Sequence, residues 1–233
     1  MSKISAGSFD LNKWLYGGYE KDIITTLYGG PGTGKTNLCL IVAVSQAKKG
    51  KKVIFMDTEG GFSTDRARQI FEKTNGDGNF KKTLENILIL KPTSFEEQKD
   101  CFNQLLKYLK EEVSLIIVDG MTMLYRLELA SAKEKNNSEF QKVNSELARQ
   151  MRILAEIARK RNIPVIATNQ IYHWEKNLKM VGGDIMQYWS KCLIELEHDK
   201  GKRVAFLKKH RSLKESSFYF QVWEGGIRKK GWL

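Results

Sequence analysis

The sequence predicts an α/β fold: a mostly parallel central sheet with helices on both faces and an antiparallel extension at its C-terminal end. Three observations carry this. Short apolar runs, Ile24-Thr25-Thr26-Leu27-Tyr28, Val53-Ile54-Phe55-Met56, Leu115-Ile116-Ile117-Val118 and Val165-Ile166-Ala167, alternate with amphipathic helical stretches, as buried parallel strands require. The last third instead holds three strand-like runs, Cys192 to Leu196, Arg203 to Lys209 and Ser217 to Trp223, separated only by short turns. The length of 233 residues suits one well-packed domain spanning 1–233.

In chain order, the first strand feeds Gly29-Gly30-Pro31-Gly32-Thr33-Gly34-Lys35-Thr36, a full match to G-x-x-x-x-G-K-[ST]. Glycines allow a tight turn whose N–H groups face a β-phosphate, and the helix beginning at Lys35 adds the positive end of its dipole. Lys35 would reach the β/γ-phosphates and Thr36 would ligate Mg²⁺. That helix runs over 35–48 until Gly50, and a strand follows to Asp57. A charged helix covers 65–73, a Gly/Asn-rich loop 75–79 and a short strand 87–90. Ser94 and Glu97 form a capping box for a helix to about residue 112, with Phe95, Phe102, Leu105, Leu106 and Leu109 on one face. The strand 115–119 ends in an acid. A polar loop at 131–139 leads into a long helix striped by Phe140, Val143, Leu147, Met151, Leu154 and Ala158. After the strand 164–168, Asn169-Gln170 opens a polar, aromatic-containing loop to Gly183.

The net charge of +12 makes nucleic acid the first partner to consider, against the plainer reading of a lysine-rich surface without a specific partner. The longest apolar run, Leu38 to Val44, is far short of the ~20 residues of a membrane span. The first residues hold no apolar signal region, so a cytoplasmic protein is expected. Cys39, Cys101 and Cys192 lack metal-ligand spacing and read as reduced core residues.

Asp119 ends a buried strand where the carboxyl edge of a parallel sheet forms its ligand crevice, and would hold the Mg²⁺ shell with Thr36. Glu59, in Asp57-Thr58-Glu59-Gly60-Gly61 at the end of the strand after the loop helix, could orient the water that attacks a γ-phosphate.

Asp57-Thr58-Glu59-Gly60-Gly61-Phe62, then Asp119 followed by Leu124-Tyr125-Arg126, then Ala148-Arg149-Gln150-Met151-Arg152, Ile166-Ala167-Thr168-Asn169-Gln170 and Gly182-Gly183-Asp184-Ile185 together resemble the ATPase core of RecA-family recombinases. In particular they resemble the archaeal RadB group, short paralogues of RadA. The resemblance implies a RecA-like P-loop NTPase core without an N-terminal helical DNA-binding domain, using ATP and Mg²⁺. It places Glu59 at the catalytic glutamate, Asp119 at the Walker B aspartate, Arg66 where an arginine stacks on adenine, and Gln170 where a glutamine senses the γ-phosphate. An exposed helix arginine is the plainer reading of Arg66.

By the same resemblance, Ile171 to Val181 is the second DNA-binding loop, with Tyr172, His173, Trp174, Lys176 and Lys179 interleaving rings for base stacking with cations for phosphates. Packing of Trp174 on the protein is its alternative. Lys133 and Lys135 fall in the first DNA-binding loop, and Lys209 and Arg211 where relatives reach a neighbouring subunit's nucleotide; an exposed basic strand end is the plainer reading of these two. Single-stranded DNA is the favoured partner, with RadA and a Holliday-junction resolvase implied by resemblance alone.

Two departures shape the expected activity. The chain contains no Phe-x-x-Ala docking motif and few residues before the loop, which argues against autonomous filaments, and Gly120 replaces the serine that follows the Walker B aspartate. The expectation is an ATP- and DNA-binding recombinase paralogue assisting homologous recombination and repair, with slow hydrolysis. The alternatives are a hexameric RecA-fold motor or KaiC-like ATPase, and a non-hydrolysing ATP-gated DNA-binding module.

Overall fold

The computed structural model describes residues 2–74, 79–109, 112–174, 177–199 and 202–229. Strands β1 (Lys3–Ile4) and β2 (Tyr19–Glu20) pair antiparallel around helix α1 (Phe9–Trp14). Then follow β3 (Ile24–Gly29), α2 (Lys35–Ala47), β4 (Lys52–Asp57), α3 (Thr64–Lys73), α4 (Phe80–Leu84), β5 (Ile87–Leu90), α5 (Phe95–Tyr108) and β6 (Val113–Asp119). Helices α6 (Met123–Lys135) and α7 (Asn137–Arg161) lead to β7 (Val165–Trp174), β8 (Asn177–Met180) and α8 (Gly183–Trp189). The chain closes with β9 (Cys192–Asp199), β10 (Lys202–His210), β11 (Ser216–Trp223) and β12 (Gly226–Lys229).

The main sheet has the order β12-β11-β10-β9-β3-β7-β6-β4-β5, with β8 attached to β7. From β5 to β9 the neighbours are parallel; β10, β11 and β12 add antiparallel. The extension therefore consists of four strands rather than three, and its first, β9, is still parallel to β3.

Alternation along the central strands divides the core into two layers. Val53, Phe55, Leu115 and Ile117 face the layer containing α2 and α3, while Ile54, Met56, Ile116 and Val118 face the layer of α5, α6 and α7. A period of two with apolar residues at every position is what burial on both sheet faces requires. Phe55 is wholly buried, so truncation to alanine would cost about 3–5 kcal/mol. Among the described residues no helix is long and apolar enough to cross a membrane.

Several local expectations are corrected. The polar stretch 131–139 is not a loop: α6 continues to Lys135 and α7 begins at Asn137 after one extended residue, Asn136, whose Oδ1 accepts the Glu139 N–H at 2.9 Å. Leu124, Tyr125 and Ala132 are buried against the α7 layer, and these few apolar anchors suffice to hold a helix whose other side is polar. Ser94 does cap α5, accepting from Glu97 N, and the Glu97 carboxylate accepts from Thr93 N at 2.7 Å as well as from the Ser94 backbone. α5 ends at Tyr108, and Leu106 is 64% exposed, at the rim of the buried stripe. Cys39 and Cys192 are buried as expected; Cys101 is only half-buried. The expected loop at 75–79 lies, except for Asn79, outside the described residues.

Candidate nucleotide site and its hairpin

Four chain segments meet at the carboxyl edge of the parallel strands. Gly29 pairs with Gln170 across β3 and β7, and Asp57 pairs with Asp119 across β4 and β6. The loop from Gly29 to Thr36 crosses this edge between β3 and α2. A Cβ at Gly29 would meet Leu196 O at 2.1 Å, so only glycine lets the strand pass so close to β9. At Gly30 and Gly32 a Cβ would meet nothing within 4 Å, which leaves open space on the loop. Lys35 is 8% exposed, and its Nζ donates at 2.8 Å to both Gly29 O and Gly30 O. Burial pulls its ammonium below the usual lysine range, against the attraction of Glu59 and Asp119. Pro31 is exposed at the tip, and the Thr33 hydroxyl donates to Gly30 O at 2.9 Å, holding the turn.

Asp119 is buried, and its Oδ1 accepts from the Thr168 hydroxyl at 2.7 Å, while Oδ2 has no hydrogen-bond partner among the described residues. Burial raises its carboxyl above the usual range, the Thr168 and Thr36 hydroxyls lower it, and the charges of Glu59 and Asp57 raise it further. A Cβ at Gly61 would stand 3.3 Å from Thr36 Oγ1 and 3.6 Å from Asp119 Oδ2, so these two oxygens flank one point. An orphaned buried carboxylate oxygen beside a hydroxyl fits Mg²⁺, which takes one or two protein oxygens and completes its shell with phosphate and water.

Glu59 acts electrostatically on both Lys35 and Asp119. Its Oε1 accepts from Gln170 Nε2 at 3.1 Å, and it rests on Gly120, where a Cβ would meet Oε1 at 2.2 Å. The glycine at 120 and the placement of Glu59 are therefore one feature. Asp57, to which the sequence alone gives no role, fixes the turn that carries Glu59: its two oxygens accept from Gly61 N at 2.9 Å and Phe62 N at 3.0 Å.

Gln170 does not open a loop. β7 continues through it to Trp174 and returns as β8, pairing Ile171 with Met180 and Tyr172 with Lys179. Its base is tied to the site, because Val181 N donates to Gln170 O, and Asn169 bonds both Val181 O and the Thr122 hydroxyl. Tyr172 is half-buried against the α7 layer, which makes it a packing residue as well as a hairpin residue. His173 and Trp174 lie on β7, and Lys176 lies outside the described residues. Lys133, exposed, and Lys135 belong to α6 rather than to a loop.

Arg66 uses all five of its N–H groups within the chain: Nε donates to Asn37, Nη1 to Gln69 and Glu224 O, and Nη2 to Trp223 O and Gly226 O. It fastens α3 to the β11–β12 turn beside α2. Lys209 and Arg211 sit at the opposite, amino edge of the sheet, where His210 pairs with Cys192 and Cys192 with Thr25. Lys209 donates to Gln187 O, and Arg211 forms ion pairs with Glu20 at 3.1 Å and Asp22 at 3.2 Å. They are thus engaged inside the chain and remote from its own loop. The basic residue that does reach the loop is Arg203, with His198 beside it, both touching Gly32 O.

A glycine-rich loop entering a helix, an acid on a nearby strand and a glutamate beyond it, at the edge of a parallel sheet, define the RecA-like class of P-loop folds. The chain belongs to the Rad51 family, whose model matches residues 1–230. It is 40% identical over 217 residues to a DNA repair and recombination protein RadB of Methanocaldococcus jannaschii, covering 93% of this chain and 98% of the relative. A RadB of Methanobrevibacter smithii is 40% identical over 228 residues, with 93% and 92% covered. A crystal structure of the RadB recombinase superimposes with a TM-score of 0.80 at 33% identity, covering 98% of this chain and 100% of that one.

Proposed function

We propose that this chain is a recombinase paralogue that binds ATP·Mg²⁺ and single-stranded DNA and assists homologous recombination and DNA repair, with slow hydrolysis. The observation that carries the proposal is the hydrogen bond from Gln170 to Glu59: one residue belongs both to the nucleotide edge and to the β7–β8 hairpin. Lys35 and the loop N–H groups would hold the β- and γ-phosphates, and Thr36 and Asp119 would hold Mg²⁺. When bound, Mg²⁺ supplies charge neutralisation on the phosphate oxygens. Glu59 is the group to position a water, and Gln170 holds it by a hydrogen bond that a γ-phosphate would compete for. RadA and a Holliday-junction resolvase are the protein partners we propose on family grounds.

The seating of Glu59 on Gly120 favours one second reading, in which ATP is a conformational ligand and turnover is negligible. Calorimetry with ATP·Mg²⁺ tests the first reading. Wild type should bind and Lys35→Ala should lose at least about 100-fold, since a charge-assisted contact with phosphate disappears. Equal affinities would refute it. ATP binding without measurable phosphate release would select the second reading.

A further inference from the structure

We propose that Arg203, backed by His198, is a phosphate ligand for the nucleotide held in the chain's own loop; this rests on the nucleotide reading above. β9 and β10 run on past the end of β3. Leu196 pairs with Gly29, so His198, two residues further, stands alongside the loop, and Arg203 is its direct cross-strand partner. His198 Nε2 lies 3.1 Å and Arg203 Nε 3.4 Å from Gly32 O, at the loop tip. A Cβ at Gly34 would lie 3.8 Å from both Arg203 Cδ and the Phe220 ring, so the arginine stem is laid along the loop beside that ring.

This contact occupies only Nε. Neither terminal guanidinium nitrogen of Arg203 has a hydrogen-bond partner among the described residues. A planar fork with its outer N–H groups unspent, beside a loop shaped for phosphate, matches the geometry by which arginine grips phosphate oxygens. Lys35 supplies a parallel, since it too reaches backbone carbonyls of the same loop. The two cations approach from different sides, one from α2 within the loop and one from the sheet extension over its tip. Arg66 has no donor left for such a role, and Lys209 and Arg211 lie at the other edge.

The test is calorimetric titration of the full chain with ATP·Mg²⁺ and ADP·Mg²⁺, with melting curves to confirm folding. Arg203→Gln keeps an N–H for Gly32 O but removes the charge, and should weaken both nucleotides by roughly 10- to 30-fold. Arg203→Lys should recover to within about fivefold of wild type. Wild-type affinity in Arg203→Gln, alongside lost binding in Lys35→Ala, would overturn this inference alone. Lysine binding no better than glutamine would overturn the charged role. Unchanged binding in Lys35→Ala would overturn the nucleotide reading and this inference with it.

Discussion

Gly120 has φ +57°, and the space its side chain would fill is taken by the Glu59 carboxylate. Both facts penalise any substitution, one through the backbone and one through the displaced glutamate. Gly120→Ala should therefore lose about 1–3 kcal/mol of stability by urea denaturation. In a Glu59→Ala background the contact part disappears and only the backbone cost remains, so the two changes should be non-additive. Additive losses would show that Glu59 does not rest there. Nothing in the sequence signals this pairing, because 59 and 120 follow two different strands, β4 and β6. By contrast the placement of the Gly29 to Thr36 loop and of Asp119 at the strand ends is legible, since each directly follows an apolar run in contiguous residues.

At the scale of elements, the alternation of apolar runs revealed the central strands because burial on both faces leaves an unbroken signal. The β7–β8 hairpin was not legible. Tyr172, His173, Trp174 and Lys179 are polar or aromatic and break the apolar run of the strand before them, so they read as a loop although they pair as strands. Leu106 misled for a related reason: it follows the spacing of the α5 stripe but only rims a cavity of about 330 Å³ between α5 and α7. Arg203 and His198 became visible only through the β9–β10 register, which brings a late hairpin to an early loop.

The end of β10 also joins the N-terminal hairpin. His210 faces Glu20 at 3.5 Å, with Lys3 and Arg211 nearby, and its Nδ1 accepts from Ser212 N and Leu213 N at 3.1 and 3.2 Å. Burial lowers its pKa, Glu20 pulls it up, and Lys3 and Arg211 push it down. A proton on Nδ1 would also face two N–H donors. Below about pH 6.5 the unfolded chain then holds more protons at this histidine than the folded one, so folding loses stability as pH falls. Urea midpoints of wild type and His210→Gln should keep a constant gap above pH 7, and the gap should shift in the variant's favour from pH 7 to pH 5. A gap independent of pH would remove His210 from the account.

Across the whole molecule, the charge of +12 is spread over more than one task. A cavity of about 670 Å³ at the amino edge is lined by Lys3, Lys21, Lys49, Lys51 and Arg161 with Glu112, where α2, α5 and α7 end. Cations there offset the negative ends of three helices, and Lys51 pairs with Glu112 at 3.2 Å, so this cavity lies at the edge opposite the nucleotide site. Only part of the positive charge is left for DNA. The slope of log affinity for single-stranded DNA against log salt should accordingly be about −2 to −4, the value for roughly three to six phosphate contacts. A flat dependence would contradict an electrostatic DNA interface.

We propose that nucleotide at the sheet edge sets the state of the hairpin through Gln170. Fluorescence anisotropy of labelled single-stranded DNA, with and without ATP·Mg²⁺, tests it in wild type and Gln170→Ala. Wild type should bind DNA at least about fivefold tighter with nucleotide, the lower end of ordinary coupling between sites, and Gln170→Ala should abolish the difference. Identical wild-type DNA affinity with and without ATP·Mg²⁺ would contradict the account.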